Sequence, residues 1–230
     1  MITVGLSNES NRTEWIRKTL AAVPKGWRIL DAGAGEQQFK RFCSHLDYVA
    51  QDFGQYDGCG DGKGLQMGIW DQTRLDIVSD ITSVPEFDAS FDAIMCTEVF
   101  EHLPEPSLAL KEFSRLLCSG GKLILTAPFC SLTHFAPYHF STGFNQYWYE
   151  YHLPRYGLKI VELAKSGNYF EYLAQEIRRI DGVSQKYANQ QVEDQWAVSR
   201  ILEQLQKMST SDLGSAELLC FGYHVLAEKE

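Results

Sequence analysis

Three observations predict an α/β protein whose mostly parallel sheet is covered on both faces by helices. Short apolar runs at 29–31, 47–52, 75–81, 91–96 and 122–127 alternate with segments of helical periodicity or with glycine-rich connections. The first run opens into a glycine-rich turn, Gly33-Ala34-Gly35. Asp31 closes that run and Asp52 closes the next, 21 residues further on, which is the spacing of an acidic side chain that meets a ribose. Together they describe a nucleoside-containing cofactor held at the edge of a parallel sheet.

A first helix is expected at 11–23, with Ile16, Leu20 and Val23 on one face, Trp15 beside them, and Pro24-Lys25-Gly26 as its stop. After the glycine turn, Phe39, Phe42, Cys43 and Leu46 fall at helical spacing and predict a second helix to about Ser44. Its N-terminus would present free N–H groups to a ligand. The second strand, 47–52, ends on Asp52. Residues 54–68 form a long glycine-rich connection, expected to be a mobile surface loop near the cofactor. Its Asp57 and Asp61 resemble the opening of a calcium loop, but Cys59 and Gly68 stand at the third and twelfth positions, where oxygen ligands belong.

The third strand is expected at 75–81 with Asp80 at its end, and the fourth at 91–96. A helix follows at 104–117, with Pro106 in its first turn and Ala109, Phe113, Leu116 and Leu117 inward. The fifth strand is 122–127. Between about 128 and 156 the texture changes: ten of the 29 aromatic residues lie in 129–156, enough to mark an insert with its own role. Phe144, Tyr147, Trp148 and Tyr151 have helical spacing there, and Tyr138 and Phe140 are its foremost pocket candidates; most of the others are expected in the core. A strand at 158–164, helices at 169–180 and 192–208 within a segment of about 168–209, and a final strand at 217–226 complete a single domain of residues 1–230. The helical segment is a candidate lid or homodimer surface.

The acidic balance, a net charge of −9, and the absence of basic runs argue against nucleic acid as partner. No apolar stretch is long enough for a membrane span, and the N-terminus lacks a secretory pattern. Six cysteines without a close pair predict reduced thiols in a cytoplasmic protein and no metal site.

The segments ILDAGAGE (29–36), YVAQD (48–52), SDITSVP (79–85), FDAIMCTEVFEHLPEP (91–106) and GGKLILTAP (120–128) resemble, taken together, the class I S-adenosylmethionine-dependent methyltransferases. The likeness is strongest to the group containing ubiquinone-biosynthesis-type enzymes, and covers about 27–165 and the last strand. It departs where Gln37 replaces a frequent glycine. The resemblance implies a Rossmann-like sheet of seven strands with the last antiparallel, and S-adenosylmethionine as cofactor. It places Asp31, Ala32, Gly33 and Gly35 around the methionine moiety, Asp52 on the ribose, and Phe53 near the adenine. Asp80 would accept from the adenine amino group with Ile81 packed on the ring, and Thr97 and Glu98 would border the sulfonium.

A hydroxyl acceptor must lose its proton as it attacks, and histidine is the usual base near neutral pH. His102, His134 and His139 are the candidates, each with an ordinary packing role as the alternative. The expected activity is O-methylation of a small molecule or a sugar or glycan precursor. The competing readings are a non-catalytic module that binds the cofactor or a partner, and, more remotely, a nicotinamide-dependent oxidoreductase, which Gln38 at the third glycine position disfavours.

Overall fold

The computed structural model describes residues Met1–Glu230. Seven strands form one sheet: β1 (Arg28–Ala32), β2 (Asp47–Asp52), β3 (Ile77–Val78), β4 (Phe91–Thr97), β5 (Leu117–Pro128), β6 (Leu158–Ser166) and β7 (Gly222–Lys229). Their order is β3-β2-β1-β4-β5-β7-β6. The pairs β1–β2, β1–β4, β2–β3 and β4–β5 are parallel, and β7 runs antiparallel to β5 from Lys122↔Glu228 to Pro128↔Gly222. The expected seven-stranded, mostly parallel sheet with an antiparallel last strand is therefore present. β1 and β4 read as apolar runs rather than alternations because both of their faces are covered. Ile29, Leu30 and Ala32, and the stretch from Ala93 to Cys96, are fully buried.

The α-helices are α1 (Asn8–Ala21), α2 (Pro106–Leu116), α3 (Gln146–Arg155), α4 (Tyr169–Ala188) and α5 (Gln195–Thr210). The chain divides into two compact units, one of Thr13–Ala164 and Gly222–Glu230, the other of Met1–Arg12 and Lys165–Phe221. In the larger unit Ile16 and Leu20 of α1 pack with Ile29, Phe39, Cys43, Met95 and Ile124. The smaller unit has its own core of Val4, Ala174, Leu202 and Leu205. Within it the Gln206 amide oxygen accepts from the backbone N–H groups of Thr3 and Val4.

Strand order positions the site. The chain leaves β1 for β2 and β3 on one side and returns to β4 on the other, so the β1/β4 boundary is a topological switch point. In open α/β sheets, ligands bind in the crevice outside the carboxyl ends of such strands. Asp31 and the glycine turn stand at one lip of that crevice, and Thr97 and Glu98 at the other.

Several elements differ from their sequence expectation. The helix after the glycine turn is absent; only a 3₁₀ turn, Lys40–Phe42, forms there. Gln37 has φ 60°, and the hydrogen bonds of the segment step back three residues: Gln37 N–H to Ala34 O, Lys40 to Gln37, Cys43 to Lys40, Leu46 to Cys43. Phe39 and Cys43 are nevertheless buried, so the periodicity reported burial rather than helix. β3 shrinks to two residues at the sheet edge, where Val78 is exposed. In α3 the expected aromatic stripe is not the inner face: Tyr147 and Tyr151 are exposed while Tyr149 and Leu153 are buried. The 54–68 connection is fastened to the aromatic insert. Leu65 N–H donates to Thr133 O, Phe135 N–H to Leu65 O, and Asp61 N–H to Ala136 O, all within 3.0 Å.

Candidate functional site

The carboxyl ends of β1 and β2 carry two buried carboxylates. The turn that follows β1 is tied to β2 because Gly33 N–H and Ala34 N–H both donate to Gln51 O, at 2.9 and 2.8 Å. Gly33 has φ 77°, and a Cβ there would stand 2.4 Å from Val99 Cγ2. At Gly35, φ 49°, a Cβ would stand 2.6 Å from the Trp70 ring. Both positions therefore require glycine for conformation and for space. Ala32 lies in β1 itself, paired with Gln51.

Asp52 accepts from Gly35 N–H on Oδ2 at 3.0 Å, and on Oδ1 from Gly54 N–H at 3.0 Å and Gln72 Nε2 at 3.2 Å. Asp31 accepts from the Tyr48 hydroxyl at 2.5 Å. Burial is the main influence on both. It pushes the Asp31 carboxyl up to about 7, with the Tyr48 hydroxyl opposing and the Asp52 charge adding. It raises Asp52 against the amides of Gly54, Gly35 and Phe53. No basic side chain compensates either group. Two uncompensated carboxylates at a sheet edge suit a ligand that carries a cationic amino group and a ribose diol, and S-adenosylmethionine carries both. Asp31 and Asp52 would hold those groups; Gln72 already reaches Asp52, and Trp70 covers Gly35.

Other expected cofactor residues have mixed fates. Asp80 is exposed, and its Oδ1 accepts from the Thr82 N–H and hydroxyl at 2.8 and 2.7 Å, so that oxygen caps its own turn. Ile81 beside it is buried. Phe53 meets Tyr138 edge-on at 5.0 Å, whereas Phe140 is half exposed. Thr97 is buried opposite Thr126 in the β4–β5 register. Glu98 adopts φ 54°, a left-handed conformation that costs on the order of 1 kcal/mol for a residue with a side chain. It is held there by Glu98 N–H to Thr126 O at 2.9 Å and by the Thr126 hydroxyl donating to Glu98 Oε1 at 2.8 Å.

The carboxyl ends of β4 and β5 bring His102, His134 and His139 together. Ring centroids are 4.6 Å apart for His102 and His134, 4.8 Å for His134 and His139, and 5.8 Å for His102 and His139. His102 ends the 3₁₀ turn Phe100–His102 after β4, and the other two lie in the aromatic insert. Glu101 completes the group: it is 1% exposed, and its Oε1 lies 3.7 Å from Nε2 of both His102 and His134. The Glu101 carbonyl also accepts from Phe140 and Ser141 N–H, which pins the insert over the turn. Burial, with His134 next, takes His102 down to about 3. Burial pulls His134 down as well, but the Glu101 carboxylate outweighs it and holds His134 above its ordinary value. Glu101 itself is raised, by burial first.

Aromatic contacts connect the two ends. The Trp70 ring that covers Gly35 lies 5.5 Å from Phe135, and Phe135 stacks on His102 at 4.9 Å. A run of ring contacts therefore joins the glycine turn beside the acid pair to the histidine cluster. Glu101, Trp70 and Gln72 were not singled out from sequence. Only Glu101 carried a signal, as the acid directly before a candidate histidine in a short turn.

Residues 30–125 match a family model described as a methyltransferase domain. A ubiquinone biosynthesis O-methyltransferase of Xanthomonas axonopodis pv. citri is 30% identical over 118 residues, 50% of this chain and 48% of that protein. A demethylmenaquinone methyltransferase of Renibacterium salmoninarum is 34% identical over 131 residues, 56% of this chain and 50% of that protein. These matches thus take in about half the length of the curated relatives. A Haemonchus contortus phosphoethanolamine N-methyltransferase 2 solved with S-adenosyl-L-methionine shares the fold with a TM-score of 0.56 at 18% identity, over 95% of this chain and 52% of that one.

Proposed function

We propose that this chain, a class I S-adenosylmethionine-dependent methyltransferase, moves the methyl group to a hydroxyl oxygen of a small acceptor. The observation that carries the oxygen assignment is the cluster of His102, His134, His139 and Glu101, joined through Phe135 and Trp70 to the glycine turn. The bound cofactor supplies an electrophilic methyl on a positively charged sulfur. Everything else falls to the protein: hold the donor, place an oxygen in line with that methyl, and receive a proton. As the oxygen–carbon bond forms, the carbon–sulfur bond breaks, sulfur keeps the electron pair, and the hydroxyl proton passes to a neutral imidazole. His139 is the readiest recipient: burial keeps it below its ordinary pKa, and both of its ring nitrogens lack hydrogen-bond partners.

The names of the relatives draw the acceptor toward a hydroxylated ring of the quinol type, and an aromatic surrounding that includes Tyr138 suits a planar molecule better than a sugar. No helix is long and apolar enough to cross a membrane. The reading is tested in two steps. Calorimetry with S-adenosylhomocysteine is expected to show binding; no affinity sinks the whole reading. Labelled S-adenosylmethionine is then offered with catechols and hydroquinones. Transfer to oxygen is expected, whereas binding without transfer to any of them would turn the reading to a cofactor-binding module.

A further inference from the structure

We infer that His102, His134 and His139, with Glu101, form a binding site for a divalent transition-metal ion that faces the acceptor. The one donor atom each imidazole offers lies within 4.8 Å of the other two. That is wider than the ~3.4 Å of a tetrahedral set with ~2.1 Å bonds, so the rings close on an ion by shifts of roughly an ångström.

Tautomers favour the same outcome. His102 Nδ1–H donates to Tyr138 O at 2.5 Å, and His134 Nδ1–H donates to Leu132 O at 2.8 Å. A carbonyl can only accept, so in the neutral rings both Nε2 atoms keep their lone pairs, and both point toward Glu101. An imidazole anchored through one nitrogen to a backbone carbonyl, with the other free to ligate, is the usual arrangement at metal centres.

Satisfaction of buried polar groups points the same way. His102 Nε2, both nitrogens of His139 and Glu101 Oε2 are buried without a hydrogen-bond partner. Four such atoms in one cluster are costly unless something completes them. A cation completes three of the four: it takes the lone pairs of His102 Nε2 and of one His139 nitrogen and neutralises the Glu101 carboxylate, while His134 Nε2 supplies a third lone pair. Three imidazoles favour zinc, copper, iron or nickel over the hard ions calcium and magnesium. The expectation of no metal site rested on closely spaced ligands. This set is gathered instead from two loops, 101–102 and 134–139.

The role of the ion rests on the O-methylation reading. An acceptor hydroxyl on the ion would ionise more readily, releasing its proton to solvent before attack, as metal-bound water does. His139 then serves as a ligand rather than as the proton recipient.

The test uses the full chain, stripped with chelator and titrated with Co2+ and separately with Zn2+. One equivalent is expected to bind, with visible cobalt bands characteristic of nitrogen coordination. His139 makes no hydrogen bond, so His139→Ala takes no other bond from the fold. That variant is expected to lose the bands and to weaken Zn2+ at least tenfold, while S-adenosylhomocysteine binds as before. Glu101→Gln is expected to weaken Zn2+ without abolishing it. Cobalt bands that are absent, or that persist in His139→Ala, overturn the site. Saturable metal with no S-adenosylhomocysteine affinity instead defeats the methyltransfer reading and leaves the site standing. Turnover that survives chelation removes the ion from the reaction and returns His139 to the part of base.

Discussion

The carboxyl ends of β1 and β2 hold two buried carboxylates engaged by backbone amides, a phenol and one glutamine. The carboxyl ends of β4 and β5 hold a buried carboxylate and three imidazoles, with four nitrogen or oxygen atoms unengaged. Both regions lie at the same edge of one sheet, so strand geometry does not separate them. What separates them is who supplies the partners. The acid pair is satisfied largely by its own strands, turn and adjoining loop, a rigid receptor for a ligand of fixed shape. The histidine cluster is assembled from two loops and left incomplete, which suits a place where protons or bonds change hands. Binding is then expected to depend on the first region and turnover on the second.

The largest effect should come from His139→Ala. Turnover is expected to fall about 100-fold or more, the scale of a lost proton acceptor or ligand, while S-adenosylhomocysteine affinity changes less than about twofold. Single-turnover kinetics beside calorimetry reads both. If affinity falls in step with rate, the division between the regions is broken.

Asp52→Asn probes the other side. The loss of a carboxylate that serves as a charged acceptor is expected to weaken S-adenosylhomocysteine by about 10- to 100-fold, with single-turnover rate at saturation little changed. The amide keeps an acceptor for Gly35 N–H, so the turn should persist. Unchanged affinity would assign Asp52 to holding the loop, through Gly35, Gly54 and Gln72, rather than the ribose.

The same contrast governs what sequence could reveal. β2, β4 and the burial of Ile16, Leu20, Phe39 and Cys43 were readable because each depends on neighbours within a few residues or on an apolar period. The acid pair was readable for the same reason: Asp31 and Asp52 stand at the carboxyl ends of consecutive strands that pair with each other. The helix after the turn failed because periodicity records which side chains are buried, and a run of three-residue turns buries nearly the same ones. The three histidines were named singly, but their meeting with Glu101 depends on the insert crossing back over the β4 turn through the Glu101 carbonyl. No short-range pattern encodes that crossing. Trp70 and Gln72 were invisible for a similar reason, since a glycine-rich connection carries no signal for where it is fastened.

Gly33→Ala tests whether the turn is shaped by packing. The added methyl meets Val99 on a backbone with positive φ. A loss of about 2–4 kcal/mol in urea unfolding is expected from overpacking and strain together. Val99→Ala in the same chain should return the packing part and leave the strain. No recovery would place the cost elsewhere than at Val99.

The last effect concerns pH. Asp31 has its carboxyl raised by burial from the ordinary 3.8 to about 7. Between those values the folded chain holds a proton that the unfolded chain releases. Stability is therefore greatest below about pH 4 as far as this group is concerned, and declines as pH rises, by on the order of 1 kcal/mol per unit, until the folded group ionises. Above about pH 7 its contribution is gone. Asp31→Asn should flatten that decline, and thermal midpoints compared between about pH 5 and pH 8 would show it. Parallel slopes in the two proteins would mean that Asp31 is ionised throughout. Ligand sharpens the point: an amino group placed against Asp31 favours the charged carboxylate. S-adenosylhomocysteine should then raise the midpoint more near pH 8 than near pH 5, and the difference should vanish in Asp31→Asn. The histidine cluster predicts no such dependence for the ligand, which keeps the two regions experimentally apart.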